Sequence, residues 1–301
     1  MSGSEIHVIE SSLYVYTTPL ETLNWSNHVF FETEKTGLVV YDVPVLNRDG
    51  RDFWEKIKEL TSGNIALFII SHGHPDHWFS LDFFREVAPK APILAAKMTA
   101  DYINLMGEAN IRWNRMAGLG EAGADRKIVA PTETFEKKKV IDAGDFTLIL
   151  YATGPADDME HTVIHIPELK VLLANDVIYN KYHPWNDLER DGHWLRIIDW
   201  MRTLDAETIV PGHGRICGPE IYDDMEKWLT TFQDLRLKYG GKYSLKDMTP
   251  ENRKKMIDGL KAVFPDWYDF ELEFSCFETM ATPWPYCKNV HSVATRLFEN
   301  D

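Results

Sequence analysis

The sequence predicts an α/β fold, and three observations carry that prediction. Strand-like and helix-like stretches follow one another along most of the chain, its apolar runs are short, and an order of β-rich segment followed by alternating helix and strand in the first half recurs loosely in the second. At 301 residues, 44% of them hydrophobic, the chain is long enough for one large α/β domain or two small ones with a substantial core.

The first forty residues alternate with period two in HVIE, LYVYT and HVFFETEKTGLVVYDVP, a meander in which Lys35-Thr36-Gly37 turns between two strands. RDFWEKIKELT (51–61) has helical spacing that sets Trp54, Ile57 and Leu60 on one face, and Ser62-Gly63-Asn64 leads into IALFII (65–70), a continuous apolar run that reads as a buried strand. FSLDFFREVA then reads as a helix, APILAA as a strand and KMTADYINLMGE as a helix. Residues 107–138, rich in Gly, Ala and charge, read as a surface excursion. A second β region follows in FTLILYATG (146–154), HTVIHIPE (161–168) and VLLAND (171–176), with Pro167-Glu168-Leu169-Lys170 turning a hairpin. Helix WLRIIDWMRTL (194–204), strand TIV and the turn Pro211-Gly212-His213-Gly214 close a core unit over residues 1–218. Residues 219–301 read as two helices and an aromatic-rich tail packed on the same domain.

Composition narrows the function classes. A formal net charge of −15 repels phosphate backbones and anionic bilayers, which argues against nucleic-acid and membrane-surface partners and for a small neutral or metal-anchored substrate. Cys217, Cys276 and Cys287 are odd in number and outside any CxxC pattern, so neither a disulfide framework nor a thiolate metal site is expected. MSGSEIHVIE has no basic segment leading into an apolar one, and IALFII is too short to span a bilayer; a soluble, cytoplasmic protein is the expectation, compatible with a homodimer.

The chemistry is concentrated in SHGHPDHWFS, where His72, His74, Asp76 and His77 fall within six positions. After a buried strand, His72 and His74 project to one side of an extended segment, because strand side chains alternate. Pro75 suits a first helical turn, so Asp76 and His77 start the FSLDFF helix and point toward the same place. Neutral imidazoles and carboxylates are ordinary ligands of a divalent metal. A lone His-x-His would read as a solvated polar turn, but the whole pattern in its strand-then-helix context reads as a metal site. One turn cannot close two metal shells, so further ligands belong at other strand ends: Asp176 after VLLAN, His213 between two glycines after TIV, and a choice within TGPADDMEHT of Asp157, Asp158, Glu160 and His161.

This arrangement resembles the metallo-β-lactamase superfamily over most of residues 5–215. The resemblance implies an αββα four-layer sandwich built of two β-then-α halves with a dimetal site at the strand ends. It implies that His72 and His74 bind the first metal, that Asp76 and His77 bind the second, that Asp176 bridges both, and that His213 in PGHG completes the second. The family's third first-site histidine is missing; counting nineteen residues back from Asp176, as the family spacing suggests, lands on Asp157, with His161 four residues later. The alkylsulfatase branch is similar in carrying a carboxylate there. The resemblance thus favours Asp157 over His161, with Asp158 a weaker third choice.

Three carboxylates against two divalent cations lower the Lewis acidity of the pair and weaken the preference for Zn²⁺, admitting Mn²⁺ or Fe²⁺. Two such cations suit activation of a shared water as hydroxide and polarisation of a carbonyl oxygen, hence hydrolysis, with Asp76 relaying the proton. Tyr179, three residues after Asp176 as in lactonase-like members of the family, offers a phenol to a developing oxyanion. The expected activity is opening of a small cyclic ester or cyclic amide, a lactone or lactam. The alternatives are a thioesterase similar to glyoxalase II, an alkylsulfatase-like hydrolase, and a metal-binding protein without turnover. KYHPWNDLERDGHW (181–194), with His183 and Trp185, and the tail DWYDFELEFSCFETMATPWPY are candidates for an apolar wall around a ring-bearing substrate.

Overall fold

The computed structural model describes residues 3–10, 12–19, 25–116, 126–186, 190–240 and 248–268. The β-branched and aromatic residues of the first quarter form an antiparallel meander of β1 (Glu5–Glu10), β2 (Leu13–Thr17), β3 (Asn27–Thr33) and β4 (Gly37–Tyr41). Helix α1 (Asn47–Leu60) then crosses over to β5 (Ile65–Ile70), which joins β4 in parallel. Next come α2 (Leu81–Val87), β6 (Ile93–Ala96), α3 (Lys97–Met116) and β7 (Glu133–Phe135), completing a seven-stranded sheet in chain order. The second sheet holds β8 (Lys138–Asp142), β9 (Thr147–Ala152), β10 (Thr162–Ile166), β11 (Val171–Asn180) and β12 (Thr208–Gly214), the last parallel to β11 across α4 (Asp191–Arg202). Helices α5 (Ile221–Gly240) and α6 (Pro250–Val263) follow.

Alternation sorts the side chains into layers. Val29, Phe31, Val39 and Ile69 of the first sheet face Leu148, Leu150, Ile164 and Leu173 of the second across a buried core. Their neighbours Phe30, Leu38, Val40, Phe68 and Ile70 point the other way, onto Phe53 and Ile57 of α1, Phe84 of α2 and Ile103 of α3. On the far side Val163, Leu172 and Ile209 pack under Trp194 and Ile198 of α4 and Trp228 and Phe232 of α5, with Met256 and Leu260 of α6 beyond. The architecture is therefore the αββα sandwich expected above, and α5 and α6 join its outer helical layer.

Several local readings change. Helix α1 buries Phe53 and Ile57, whereas Leu60 is 42% exposed, so its inner stripe lies one residue away from the Trp54-Ile57-Leu60 face. Asp76 and His77 sit in a separate 3-10 turn, Pro75–His77, because Trp78 breaks the helical run before α2 starts. The presumed excursion at 107–138 is helical to Met116 and later adds β7. PGHG is strand rather than turn: Tyr179 pairs with His213 and Asn180 with Gly214 along the parallel β11–β12 ladder. Of the tail, residues 269–301 lie outside the described residues.

Candidate metal centre

The motif's histidines reach their places because β5 ends at Ile70 and the chain runs on, extended, toward the second sheet. Thr162 N–H donates to Ser71 O at 2.7 Å, tying the motif to the start of β10. Gly73 N–H donates to Asp158 Oδ2 at 2.8 Å and Trp78 Nε1–H to Gly73 O at 2.9 Å, clamping the turn on both sides. From the second sheet, Asp176 projects within β11 and His213 within β12. A Cβ on Gly212 would stand 1.7 Å from Asp176 Oδ1, so only glycine lets the two strands bring these ligands together.

Two groups of convergent side chains result. His72, His74, Asp157 and Asp176 form one; Asp76, His77, Asp176 and His213 form the other, and Asp176 belongs to both. His74 Nδ1 lies 3.1 Å from Asp157 Oδ2 and His72 Nε2 3.6 Å from Asp176 Oδ2. In the second group His77 Nε2 is 3.2 Å from Asp176 Oδ1 and 3.3 Å from Asp76 Oδ2, and His213 Nε2 is 3.2 Å and 3.3 Å from Asp176 and Asp76. A tetrahedron with metal–ligand bonds of about 2.0–2.1 Å has edges of about 3.3–3.4 Å. The six spacings above lie within a few tenths of an ångström of such an edge, and the ligating atoms of each group all lie within 4.8 Å of one another.

The donor atoms are also unsatisfied. His72 Nε2, His77 Nε2, Asp157 Oδ1 and Asp176 Oδ1 are buried and have no hydrogen-bond partner. Orphaned polar atoms cost about 1–3 kcal/mol each, and three of these, His72 Nε2, His77 Nε2 and Asp176 Oδ1, converge from both sheets as a cation pair requires, whereas Asp157 Oδ1 faces His161 Nε2 and it is Asp157 Oδ2 that meets His74. Partners behind the ligands hold the rings, and the acceptor-only ones, Asp42 and Trp25, also fix the tautomers of His77 and His213. Asp42 Oδ2 accepts from His77 Nδ1 at 2.9 Å, Ser71 Oγ meets His72 Nδ1 at 2.9 Å, and Trp25 O faces His213 Nδ1 at 3.2 Å, each leaving Nε2 for the centre.

Electrostatics follows the geometry. Burial pushes the Asp176 carboxyl up, but the imidazoles of His77, His213 and His72 outweigh it and hold it well below the ordinary range. Asp76 is held down against burial by His77 and His213. Burial lowers His213, and Asp176 and Asp76 more than reverse this, raising it to about 10. Burial and the neighbouring His77 instead push His72 well down, keeping its imidazole neutral, the form that can ligate a metal.

All seven residues read as metal ligands from the sequence are thus brought into the two groups. Asp158 is not among them: its Oδ2 accepts from Gly73 N–H and its Oδ1 from Met159 N–H. Glu160 turns away to accept from Gly154 N–H at 2.5 Å. His161 lies behind Asp157 and in neither group. Tyr179 is fully buried, stacked on His213 with ring centroids 5.1 Å apart, and its hydroxyl donates to Asp157 Oδ2 and Asp176 Oδ2 at 2.9 Å each. Those bonds tie the phenol to the two carboxylates. Trp185 meets His74 edge-on at 5.9 Å and can wall the site, whereas His183 accepts from Trp228 Nε1 and packs against Phe264 and Trp267 in the core. Sequence reasoning missed Asp42 and Asn175. The available signals were an aspartate directly after the strand that neighbours IALFII, and a polar residue beside Asp176 in an otherwise apolar run.

The sequence profile of the metallo-beta-lactamase superfamily matches residues 26–213. The chain belongs to this superfamily. It is 24% identical over 221 residues to a metallo-beta-lactamase type 2 of Elizabethkingia meningoseptica, covering 69% of this chain and 78% of that one. A probable metallo-hydrolase of Streptococcus pyogenes serotype M6 is 25% identical over 214 residues, covering 67% and 87%. Among solved structures, a metallo-beta-lactamase from Pontibacter korlensis superposes with a TM-score of 0.60 at 18% identity, over 75% of this chain and 99% of that one. The DIM-1 metallo-beta-lactamase does so with a TM-score of 0.58 at 15% identity, over 76% and 98%. These structural likenesses share the superfamily's fold. Membership and the clustered ligands make the protein a metal-dependent hydrolase. Among the described residues no helix is long and apolar enough to cross a membrane.

Proposed function

We propose that the protein opens a small cyclic ester or cyclic amide, with two divalent cations, most readily Zn²⁺, held by the seven ligands. The observation that carries this reading is the pair of four-ligand groups sharing Asp176, with His74 the one first-group ligand partly open to solvent, beside Trp185. When bound, such a pair supplies Lewis acidity and an activated water. The protein's own groups do the rest. Asp76, near His77 and His213 and only slightly accessible, is the group we assign to take and return a proton. Tyr179 holds Asp157 and Asp176 in register. The half-buried indole of Trp185 gives a ring-bearing substrate an apolar edge to lie against. Asp157 in the first group favours Mn²⁺ or Fe²⁺ as alternative metals and keeps the alkyl sulfate reading in play. The net charge of −15 weighs against that anionic substrate, and against nucleic acid and anionic membranes as partners. The cysteine pattern supports a reduced, cytoplasmic setting.

The test is turnover of metal-reconstituted protein against lactones, lactams, thioesters and alkyl sulfates in parallel. Turnover of lactones or lactams with kcat/KM at least tenfold above the other classes is expected. Preference for thioesters or alkyl sulfates would move the reading to that class, and metal content below one ion per chain with no turnover of any class would overturn it.

A further inference from the structure

His161 is a fully buried histidine beside the centre that the ligand groups leave unused. Its surroundings define it atom by atom. Asn175 Nδ2 donates to Thr162 O at 2.7 Å and to Tyr41 Oη at 3.0 Å, which fixes the amide so that Oδ1 faces the imidazole. His161 Nδ1, 2.7 Å from that oxygen, is therefore the protonated nitrogen. On the other side His161 Nε2 accepts from Asp158 N–H at 3.2 Å and stands 2.8 Å from Asp157 Oδ1 without hydrogen-bond geometry. Tyr41 Oη is itself anchored on Thr162 O at 2.5 Å. Asn175 takes a left-handed backbone, φ 43°, immediately before Asp176; asparagine tolerates that conformation better than most residues.

A continuous chain of contacts thus runs from Tyr41 in the first sheet through Asn175 and His161 to the Asp157-Asp158 turn. Its Asn175 link adjoins Asp176, and its far end carries Asp157. We propose that His161 is a positioning residue: it receives the Asp158 N–H and thereby seats the turn, so that Asp157 presents its carboxylate to the His72–His74 group at a set distance from Asp176. The inference rests on Asp157 being a ligand. It accounts for how an aspartate serves at the end of an irregular turn, where nothing in β9 or β10 itself fixes its approach. His161 does not act as a ligand in its place, because both its nitrogens are already engaged and neither falls within the ligand groups.

The experiment is titration of metal-free full-length protein with cobalt(II), read by visible absorption and by metal content, for His161→Ala, His161→Gln, His161→Asn and Asp157→Ala. His161→Ala should still take up two ions at saturation, with the first-group dissociation constant weakened about 10–100-fold, the second unchanged and the first-group spectrum altered. A glutamine oxygen reaches the Nε2 position and can accept the Asp158 N–H, so His161→Gln should recover most of the affinity and spectrum; an asparagine is too short to do so, and His161→Asn should not. Loss of one ion from all three His161 variants at saturation would make His161 a ligand and overturn the proposal, as would wild-type affinity and spectrum in all three. Asp157→Ala separates the two layers. If it keeps both ions, the ligand reading beneath falls; if it loses one while the His161 variants are unchanged, only the positioning role falls.

Discussion

Asp42 Oδ2 accepts the Nδ1 proton of His77 at 2.9 Å, and both side chains are buried. Asp42 lies at the end of β4, where Tyr41 pairs with Ile69 of β5, so the strand beside the motif strand supplies the group that orients a motif histidine. Its φ of 61° and the Ser71 N–H on its Oδ1 hold it in place. Asp42→Asn fits that backbone and keeps an acceptor for Ser71, but turns an N–H toward His77 and favours the opposite tautomer, with the ring proton facing the centre. Metal affinity of the Asp76–His77–His213 group should weaken about 10–100-fold with little change in the first group. Equal weakening of both groups in a competition titration would contradict this.

Tyr179→Phe keeps the ring stacked on His213 and removes only the hydroxyl shared by Asp157 and Asp176. Since that proton goes to ligands, first-group metal affinity should fall about tenfold, near the worth of one hydrogen bond to a charged group. A variant with unchanged metal affinity and kcat lowered about 100-fold or more would restore the oxyanion role to the phenol.

Gly212→Ala places a methyl 1.7 Å from Asp176 Oδ1 and 2.8 Å from the Asn175 carbonyl carbon. Either β12 slides away from β11 or Asp176 leaves its place. At least one ion per chain should be lost and thermal stability reduced, by about 1–3 kcal/mol for forced overpacking. Two ions per chain by elemental analysis, with an unshifted melting curve, would refute the steric account.

Metal removal should expose a pH dependence. His213 is raised to about 10, chiefly by Asp176 and Asp76 against the opposing effect of burial, and burial with His77 keeps His72 neutral. A histidine whose pKa rises on folding adds stability that is complete below its unfolded value of about 6.5 and is lost as pH climbs through the folded value. Between pH 7 and 10 the chelator-treated protein should therefore lose thermal stability progressively. His72 stays neutral across that window in both states and offsets none of it. Protein reloaded with metal should lose much less. Parallel melting curves that stay flat for the metal-free protein from pH 7 to 10 would defeat the argument.

How much of this could be read from the chain depends on whether a signal is local. The HxHxDH motif needs only one strand end and one turn, so four ligands were legible in six residues. Asp176 and His213 were legible through strand endings, yet PGHG looked like a turn because proline and glycine mark turns in isolation; the parallel register with β11 makes it strand. Strand β8 carries no signal of its own in the sequence because KKVID lies at a sheet edge with Val140 57% exposed, leaving no buried face to declare itself. Asp42 and Asn175 act across 35 and 14 residues respectively, on His77 and His161, and no spacing rule joins such pairs before the sheets are stacked.

The division of the ligands between the sheets has a consequence for how the centre comes into being. His72, His74, Asp76 and His77 belong to the first half of the chain, and Asp157, Asp176 and His213 to the second. During synthesis from the N-terminus, neither group can close until Asp176 has emerged, and the second waits until His213 has followed. Ion capture is therefore a late event that reports completed assembly: a chain arrested before β12 carries the most conspicuous part of the motif and still lacks a finished cage.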